Sequence, residues 1–416
     1  MSHRRFFGPR FLSNIFLITF SGEDRGGLTA AITAILAGHG VNVLDIGQAV
    51  IHSTLSMGVL VELPGDCDHA VLTGALEGCA AERGMRVRIS SVSPESYGEW
   101  VDGQGRARYI ITLLARKITA GQLARVTEVV HQHGLNIDGI NRLSGRIPLG
   151  ELPALSKACV EFTVRGELSD SSAFRSNLLE VAGALDVDLA FQEDNMYRRN
   201  RRLVAFVMDS TLIEAEVIDE LAIEAGVGEQ VSAITERAMR GELDFSESFR
   251  ARVALLKGLE EQALEQVAGR LKITEGAEHL ISTLHTLGYK TAILSGGFTY
   301  FARHLQARLG IDYVYANELD ILDGRVTGEV TGAIVDGVRK AELLRELASD
   351  EGVDLEQVIA VGDGANDLPM LSIAGLGIAF RAKPLVQQSA EQSISTLGLD
   401  AILYLLGFSD KYQDSA

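Results

Sequence analysis

The chain has 416 residues, 46% hydrophobic and 23% charged, which is enough apolar material for roughly two to four packed domains. Its net charge of −18 argues against a nucleic-acid partner, whose phosphates it would repel, and leaves open a small anionic substrate in a local positive pocket. Cys67, Cys79 and Cys159 have no metal-binding spacing and suit free thiols in a reducing compartment. No apolar run is long enough to span a membrane, so the expectation is a cytoplasmic protein without a membrane partner.

The first twenty residues, MSHRRFFGPRFLSNIFLITF, have the basic start and apolar end of a signal peptide. However, Asn14 interrupts the apolar run and no small-residue cleavage site follows. A β-strand from about Ile15 to Phe20 is the expected element. The first 97 residues then read strand, helix, strand, strand, helix, strand, the ferredoxin-like βαββαβ order, with Gly38 and Gly40 as helix stops. Residues 105–194 repeat that order, and AGHGVNVLDI and HQHGLNIDGI match in position, so an internal duplication is expected. The segment between them, SPESYGEWVDGQGR, reads as a polar linker. The arginine-rich DNMYRRNRRL reads as a solvated connector.

From Leu203 the pattern changes. LVAFVM, KTAILS and VIAVGD are short apolar runs that alternate with amphipathic helices, as in the buried parallel strands of a doubly wound, Rossmann-like α/β sheet. Ligands of such sheets sit at the carboxyl ends of the strands. Those ends carry Asp209-Ser210-Thr211, Ser295-Gly296-Gly297 and GDGAND with Asp363, Asn366 and Asp367; Lys340 opens a helix before the last of them. Clustered carboxylates suit Mg²⁺, while a hydroxyl, backbone amides and a lysine suit a phosphate. Taken singly, Ser-Gly-Gly is an ordinary turn and GDGAND an ordinary loop. The information lies in their order across one sheet.

That ordered set resembles the haloacid-dehalogenase superfamily, and within it the phosphoserine phosphatase family. MDSTLIEAEVIDELA, AMRGELDFSESFRARVALLKGL, LSGGF and AVGDGANDLPML match its segments in order and spacing. The two front units resemble ACT domains. The resemblance implies a phosphatase domain over about 200–408 with a small helical cap near 215–275, preceded by the two ACT units. It implies Mg²⁺-dependent hydrolysis of O-phospho-L-serine through an aspartyl-phosphate.

Carried over by position, Asp209 is the general acid and base. Mg²⁺ is held at the Asp209 main-chain carbonyl and at Asp363, with Asp367 supporting its water shell. Ser295, the Gly296 amide and Lys340 hold phosphoryl oxygens, and Asn366 lies nearby. Glu216 meets the substrate ammonium and Arg252 its carboxylate, while Met239 and Phe245 line the cap. Away from the motif, Glu216 reads better as an exposed helix charge and Arg252 as half of a surface pair. The resemblance also implies a homodimer and an amino-acid effector at the ACT units. In the turn SGEDRGGLTA, Gly26 and Gly27 either let backbone amides reach a ligand carboxylate or simply make the turn, two readings of equal weight; if one unit binds an effector it is the first, because ARKITAGQL in the second lacks those glycines.

The sequence departs from the family pattern at Val207, where the nucleophilic aspartate belongs. Valine suits a strand but cannot attack phosphorus or ligate a metal. Three readings follow: an altered copy of an active enzyme, a binding protein that retains phosphoserine or serine, and a slow hydrolase working through Asp209. A phosphatase for another small phosphomonoester is a further alternative, against which Glu216 and Arg252 argue.

Overall fold

The computed structural model describes residues 14–148, 150 and 155–412, so the basic start of the N-terminal segment lies outside the described residues. The described residues form two compact units, divided between Arg106 and Ala107.

The first unit contains β1 (Ile15–Glu23), α1 (Leu28–Gly38), β2 (Asn42–Ile51), β3 (Thr54–Glu62), α2 (His69–Glu82), β4 (Arg86–Val92) and α3 (Pro94–Gly103). Its antiparallel sheet has the order β2-β3-β1-β4, the ferredoxin-like arrangement. Ile18, Phe20, Val59 and Val61 point to one face and pack with Leu28, Ile32, Leu36, Leu72 and Leu76 of the helices. The expected linker after β4 is a helix instead. Ser93 caps it by accepting the Ser96 N–H at 3.1 Å, and Pro94 occupies the first turn, where its missing N–H costs nothing.

The second unit opens with β5 (Arg108–Ala115), α4 (Ala120–Gln132), β6 (Asn136–Arg142), β7 (Ala158–Arg165), α5 (Ser171–Leu185) and β8 (Asp188–Glu193), in the sheet order β6-β7-β5-β8. The duplication extends to backbone detail. Gly40 and Gly134 end the matching helices at φ 64° and 69°, a conformation that favours glycine. The ladder then shifts register between Val43 and Asp45 in one unit and between Ile137 and Gly139 in the other, at matched positions.

The same unit continues with β9 (Leu203–Phe206), α6 (Val217–Glu224), α7 (Gly228–Met239), α8 (Phe245–Leu255), α9 (Gln262–Arg270), α10 (Ala277–Thr286), β10 (Lys290–Phe298), α11 (Thr299–Leu309), β11 (Tyr313–Leu322), β12 (Arg325–Thr331), α12 (Gly337–Asp350), β13 (Val358–Gly362), α13 (Leu368–Leu371), β14 (Leu376–Phe380), α14 (Pro384–Ser389), β15 (Gln392–Ile394) and α15 (Ile402–Leu405). The sheet order is β12-β11-β10-β9-β13-β14-β15, parallel except for β12. Leu203 to Phe206 are wholly buried, as a central strand covered on both faces requires. β9 has β10 on one side and β13 on the other, so the chain changes direction there and a crevice opens at the strand ends.

The arginine-rich connector is only partly solvated. Arg199 and Arg202 are exposed, but Arg198 is fully buried against Glu161, and Arg201 is buried with its guanidinium donating to the Glu356 carbonyl. Glu161 belongs to β7 and Arg198 precedes β9, so this pair joins the second ferredoxin-like sheet to the parallel-sheet domain.

Candidate active site

At the end of β9 the chain turns sharply through Met208–Leu212. Val207 is still extended and its N–H donates to the Val361 carbonyl at 2.9 Å. Ser210 then adopts φ 54°, unusual for a residue with a side chain. Two bonds hold it there: its N–H donates to the Ala215 carbonyl at 3.1 Å, and its hydroxyl donates to Glu216 Oε1 at 2.6 Å. This turn presents Asp209 beneath the start of α6, where Oδ1 accepts the Val217 N–H at 3.0 Å.

The other strand ends converge on the same point. Ser295 is fully buried, and its Oγ accepts the Gly297 N–H at 3.1 Å. A Cβ at Gly297 would strike the Asp209 carboxylate and the Met208 methyl group, so only glycine fits. Lys340, also fully buried, donates to Asp367 Oδ1 at 2.6 Å. Asp367 Oδ2 accepts the Asp363 and Gly364 N–H groups at 3.1 and 2.8 Å, so both of its oxygens are engaged. Asp363 Oδ1 accepts the Thr211 hydroxyl at 3.1 Å.

Val207, Asp209, Glu216, Phe245, Arg252, Ser295, Gly296, Lys340, Asp363, Asn366 and Asp367 therefore line one cavity of about 130 Å³. Met239 does not. It ends α7, is 63% exposed, and its sulfur faces the Lys383 ammonium at 3.7 Å, outside the cavity wall. The glycine turn at Gly241 carries the chain back toward α8, and Phe245 and Phe249 supply the apolar wall instead. Val217 and Ile218 complete that wall; they look like ordinary core positions of an amphipathic helix and carried no separate signal in the sequence.

The charges are arranged unevenly. Burial, then the neighbouring Glu216, push the Asp209 carboxyl well above its usual range, which favours the protonated form. Burial raises Glu216, which the Ser210 hydroxyl partly opposes. Burial and the nearby Asp367 and Glu216 charges raise Asp363 to about 7. Arg252 is shifted down by burial, and its Nε is buried without a hydrogen-bond partner. A buried donor without a partner is costly, and because Arg252 lines the cavity it offers a place for an anionic group. Val207 packs with Val335, Leu343 and Ala360, so an apolar side chain sits comfortably where the motif calls for a carboxylate.

The chain has full-length relatives. It is 40% identical to a phosphoserine phosphatase of Streptomyces coelicolor over 96% of this chain and 94% of that one. It is 41% identical to one of Mycobacterium tuberculosis, over 94% and 92% of the two chains. The chain belongs to the phosphoserine phosphatase family. The family profile for haloacid dehalogenase-like hydrolases matches residues 204–372, and that for the ACT domain matches residues 14–90. Among solved structures, a probable phosphoserine phosphatase from Vibrio cholerae aligns with a TM-score of 0.56 at 34% identity, covering 73% of this chain and 87% of that one. A haloacid dehalogenase family hydrolase from Salmonella enterica serovar Typhi aligns at 0.63 and 32% identity, covering 71% and 98%.

For a phosphoserine phosphatase the carboxylate inventory is short. Among the described residues no group of three or more His, Cys, Asp or Glu side chains is arranged to hold a metal ion. With Asp367 committed to Lys340 and two amides, and valine at 207, the cavity carboxylates with one oxygen outside these bonds are Asp209, Glu216 and Asp363. The described residues also contain no helix long and apolar enough to cross a membrane.

Proposed function

We propose that this scaffold binds O-phospho-L-serine and is built to hydrolyse it to serine and phosphate, with turnover in this chain severely reduced by Val207. The observation that supports it best is that one small cavity is lined by Arg252, whose Nε has no hydrogen-bond partner, by the Glu216 carboxylate, and by Ser295 and Lys340. A zwitterionic amino acid bearing a phosphate needs all of these. Arg252 would donate to the substrate carboxylate as a fork, Glu216 would accept from the ammonium, and the Ser295 hydroxyl, Gly296 amide and Lys340 would donate to the phosphoryl oxygens. Asp209, whose carboxyl burial pushes well above its usual range, would donate its proton to the leaving serine oxygen and then take one from the attacking water.

The covalent route needs a carboxylate at position 207 to attack phosphorus, and valine cannot supply it. Asp363 and the Asp209 main-chain carbonyl would hold a Mg²⁺ ion, the sparse protein ligation this ion accepts. When bound, Mg²⁺ draws charge from the phosphoryl oxygens. Valine removes one protein ligand, so metal affinity falls together with turnover.

The deciding experiment compares phosphate release from L-phosphoserine, with Mg²⁺, by this chain and by its Val207→Asp form. Turnover in the Asp form alone, higher by about three orders of magnitude or more, identifies a phosphatase disabled at one residue. Comparable turnover by both forms places the nucleophile elsewhere. Tight phosphoserine binding with no turnover in either form supports the second reading, a phosphoserine or amino-acid sensor.

The proposal extends to a cytoplasmic homodimer with an amino-acid effector at the first ferredoxin-like unit. No side chain caps the N-terminus of α1, whereas Thr119 and Gln122 close a capping box on α4. Calorimetry showing no serine binding to the first compact unit, residues 1–106, would remove the effector, and a monomer mass by light scattering would remove the dimer.

A further inference from the structure

The phosphate-side loop is held by a residue that does not line the cavity. Asn317 lies on β11, 2% exposed, opposite Phe298 where the β10–β11 ladder resumes after a register shift. Its Nδ2 donates to the Gly296 carbonyl at 2.8 Å, and its Oδ1 accepts the Val335 N–H at 2.8 Å. The two partners fix the amide orientation, since a carbonyl needs the donor and an N–H needs the acceptor.

The peptide joining Gly296 to Gly297 is thereby pinned at both ends. Its carbonyl is bound by Asn317, and its N–H is bound by Ser295 Oγ. No side chain is accommodated at 296, because a Cβ there would lie 2.8 Å from the Phe245 ring and 3.4 Å from the Val335 carbonyl. A clamped peptide sets the direction of the neighbouring Gly296 N–H, and a backbone donor stabilises a phosphoryl group only when it is aimed in advance.

Asn317 also stands at the root of the β11–β12 hairpin, whose far end grips the cap. The Gly258 N–H donates to the Val326 carbonyl at 2.8 Å, the Val326 N–H to the Leu259 carbonyl at 2.9 Å, and the Glu261 N–H to the Gly324 carbonyl at 2.9 Å. Arg325 adds bonds to the Gly258 carbonyl at 2.8 Å and to Glu260 Oε1 at 2.7 Å. One short hairpin therefore connects the end of α8, the helix carrying Phe245, Phe249 and Arg252, to the peptide beside the phosphoryl site.

We propose that Asn317 is a positioning residue that aims the Gly296 amide and ties the phosphate-side loop to the cap-bearing hairpin. This rests on the phosphatase reading above. The test uses the full-length Val207→Asp chain as parent, so an inactive parent sinks that reading without touching Asn317. Adding Asn317→Asp keeps the acceptor for Val335 but sets an oxygen against the Gly296 carbonyl. At neutral pH kcat should fall roughly 10- to 100-fold, as for removal of other supporting hydrogen bonds, with KM changing less.

The variant-to-parent kcat ratio should then climb as the pH is lowered, because a protonated carboxyl can again donate to Gly296. A purely structural defect gives no such recovery. An Asn317→Asp kcat within twofold of the parent at neutral pH, or a lowered ratio that stays flat with pH, overturns the proposal. If the variant does not fold, amide hydrogen exchange in the Val207→Asp parent decides. Orthophosphate should slow exchange at Val335 and Gly297 together, and slowing at Gly297 alone overturns the link.

Discussion

The two ferredoxin-like sheets share order, bulge and helix stops, yet their outer faces have opposite chemistry. Registers align Leu17, Thr19 and Gly58 of the first with Ile110, Thr112 and Glu161 of the second, and Arg86, Arg88 and Ser90 with Asp188, Ala190 and Gln192. In the first, Leu17 is 39% exposed and both arginines are exposed; in the second, Ile110, Thr112 and Ala190 are wholly buried. The second face lies within the compact unit of the phosphatase domain, and its Leu114, Cys159 and Ala190 join that domain's main core. One fold thus serves as an attached layer in one place and as a unit of its own in the other. The outward residues decide which, because the inward ones already satisfy the fold.

The largest expected effect comes from breaking the attached face. Glu161→Ala strands Arg198 as a buried, unpaired cation, so denaturant unfolding of the full chain should show the phosphatase-containing unit weakened by about 3–5 kcal/mol. A loss below about 1 kcal/mol would mean that water reaches Arg198 and that the face is not sealed.

A smaller effect is expected where Arg116 of β5's exit meets Glu275 before α10, through two bonds of 2.8 Å. Arg116→Ala should cost about 1 kcal/mol, the pair being partly solvated. Arg116 holds the Glu275 carboxyl below its ordinary range, so the stability it contributes is present above that range and disappears as the pH falls through the lowered value. Acid titration of stability should therefore flatten in the variant; an unchanged profile would assign the acid sensitivity to other groups.

The smallest effect sharpens the contrast most. Gly58→Glu writes the Glu161 residue onto the matching position of the first sheet, where a Cβ meets only Leu17 at an ordinary 3.9 Å. Stability should change by less than about 0.5 kcal/mol. A loss of several kcal/mol would show that the first face is covered too.

The contrast also explains what could be seen in the sequence. Periodicity and glycine stops disclosed both ferredoxin-like units and the parallel strands, because those signals are local. The strand-end residues from Asp209 to Asp367 were legible because a parallel sheet gathers its carboxyl ends at one edge. Arg198 and Arg201 were misread because burial depends on partners far along the chain, Glu161 and the Glu356 carbonyl. Met239 was misplaced because the direction of a helix's last side chain is settled by the turn that follows. Asn317 gave no signal at all: a buried amide serving two backbone groups looks like any polar residue in an edge hairpin.

The contact between β8 and β15 has a consequence of its own. Each is the last strand of its sheet, and unpaired last strands invite pairing with other molecules. Here the Gln392 side chain accepts the Phe191 N–H at 2.8 Å and donates to the Phe191 carbonyl at 2.6 Å, copying what a neighbouring strand would do. The Gln192 side chain reaches in turn to the Leu405 carbonyl at 3.0 Å. Two sheets thus close each other's borders without merging. A chain joined in this way gains solubility during assembly, since neither border stays open as a template for a second copy once the two domains meet.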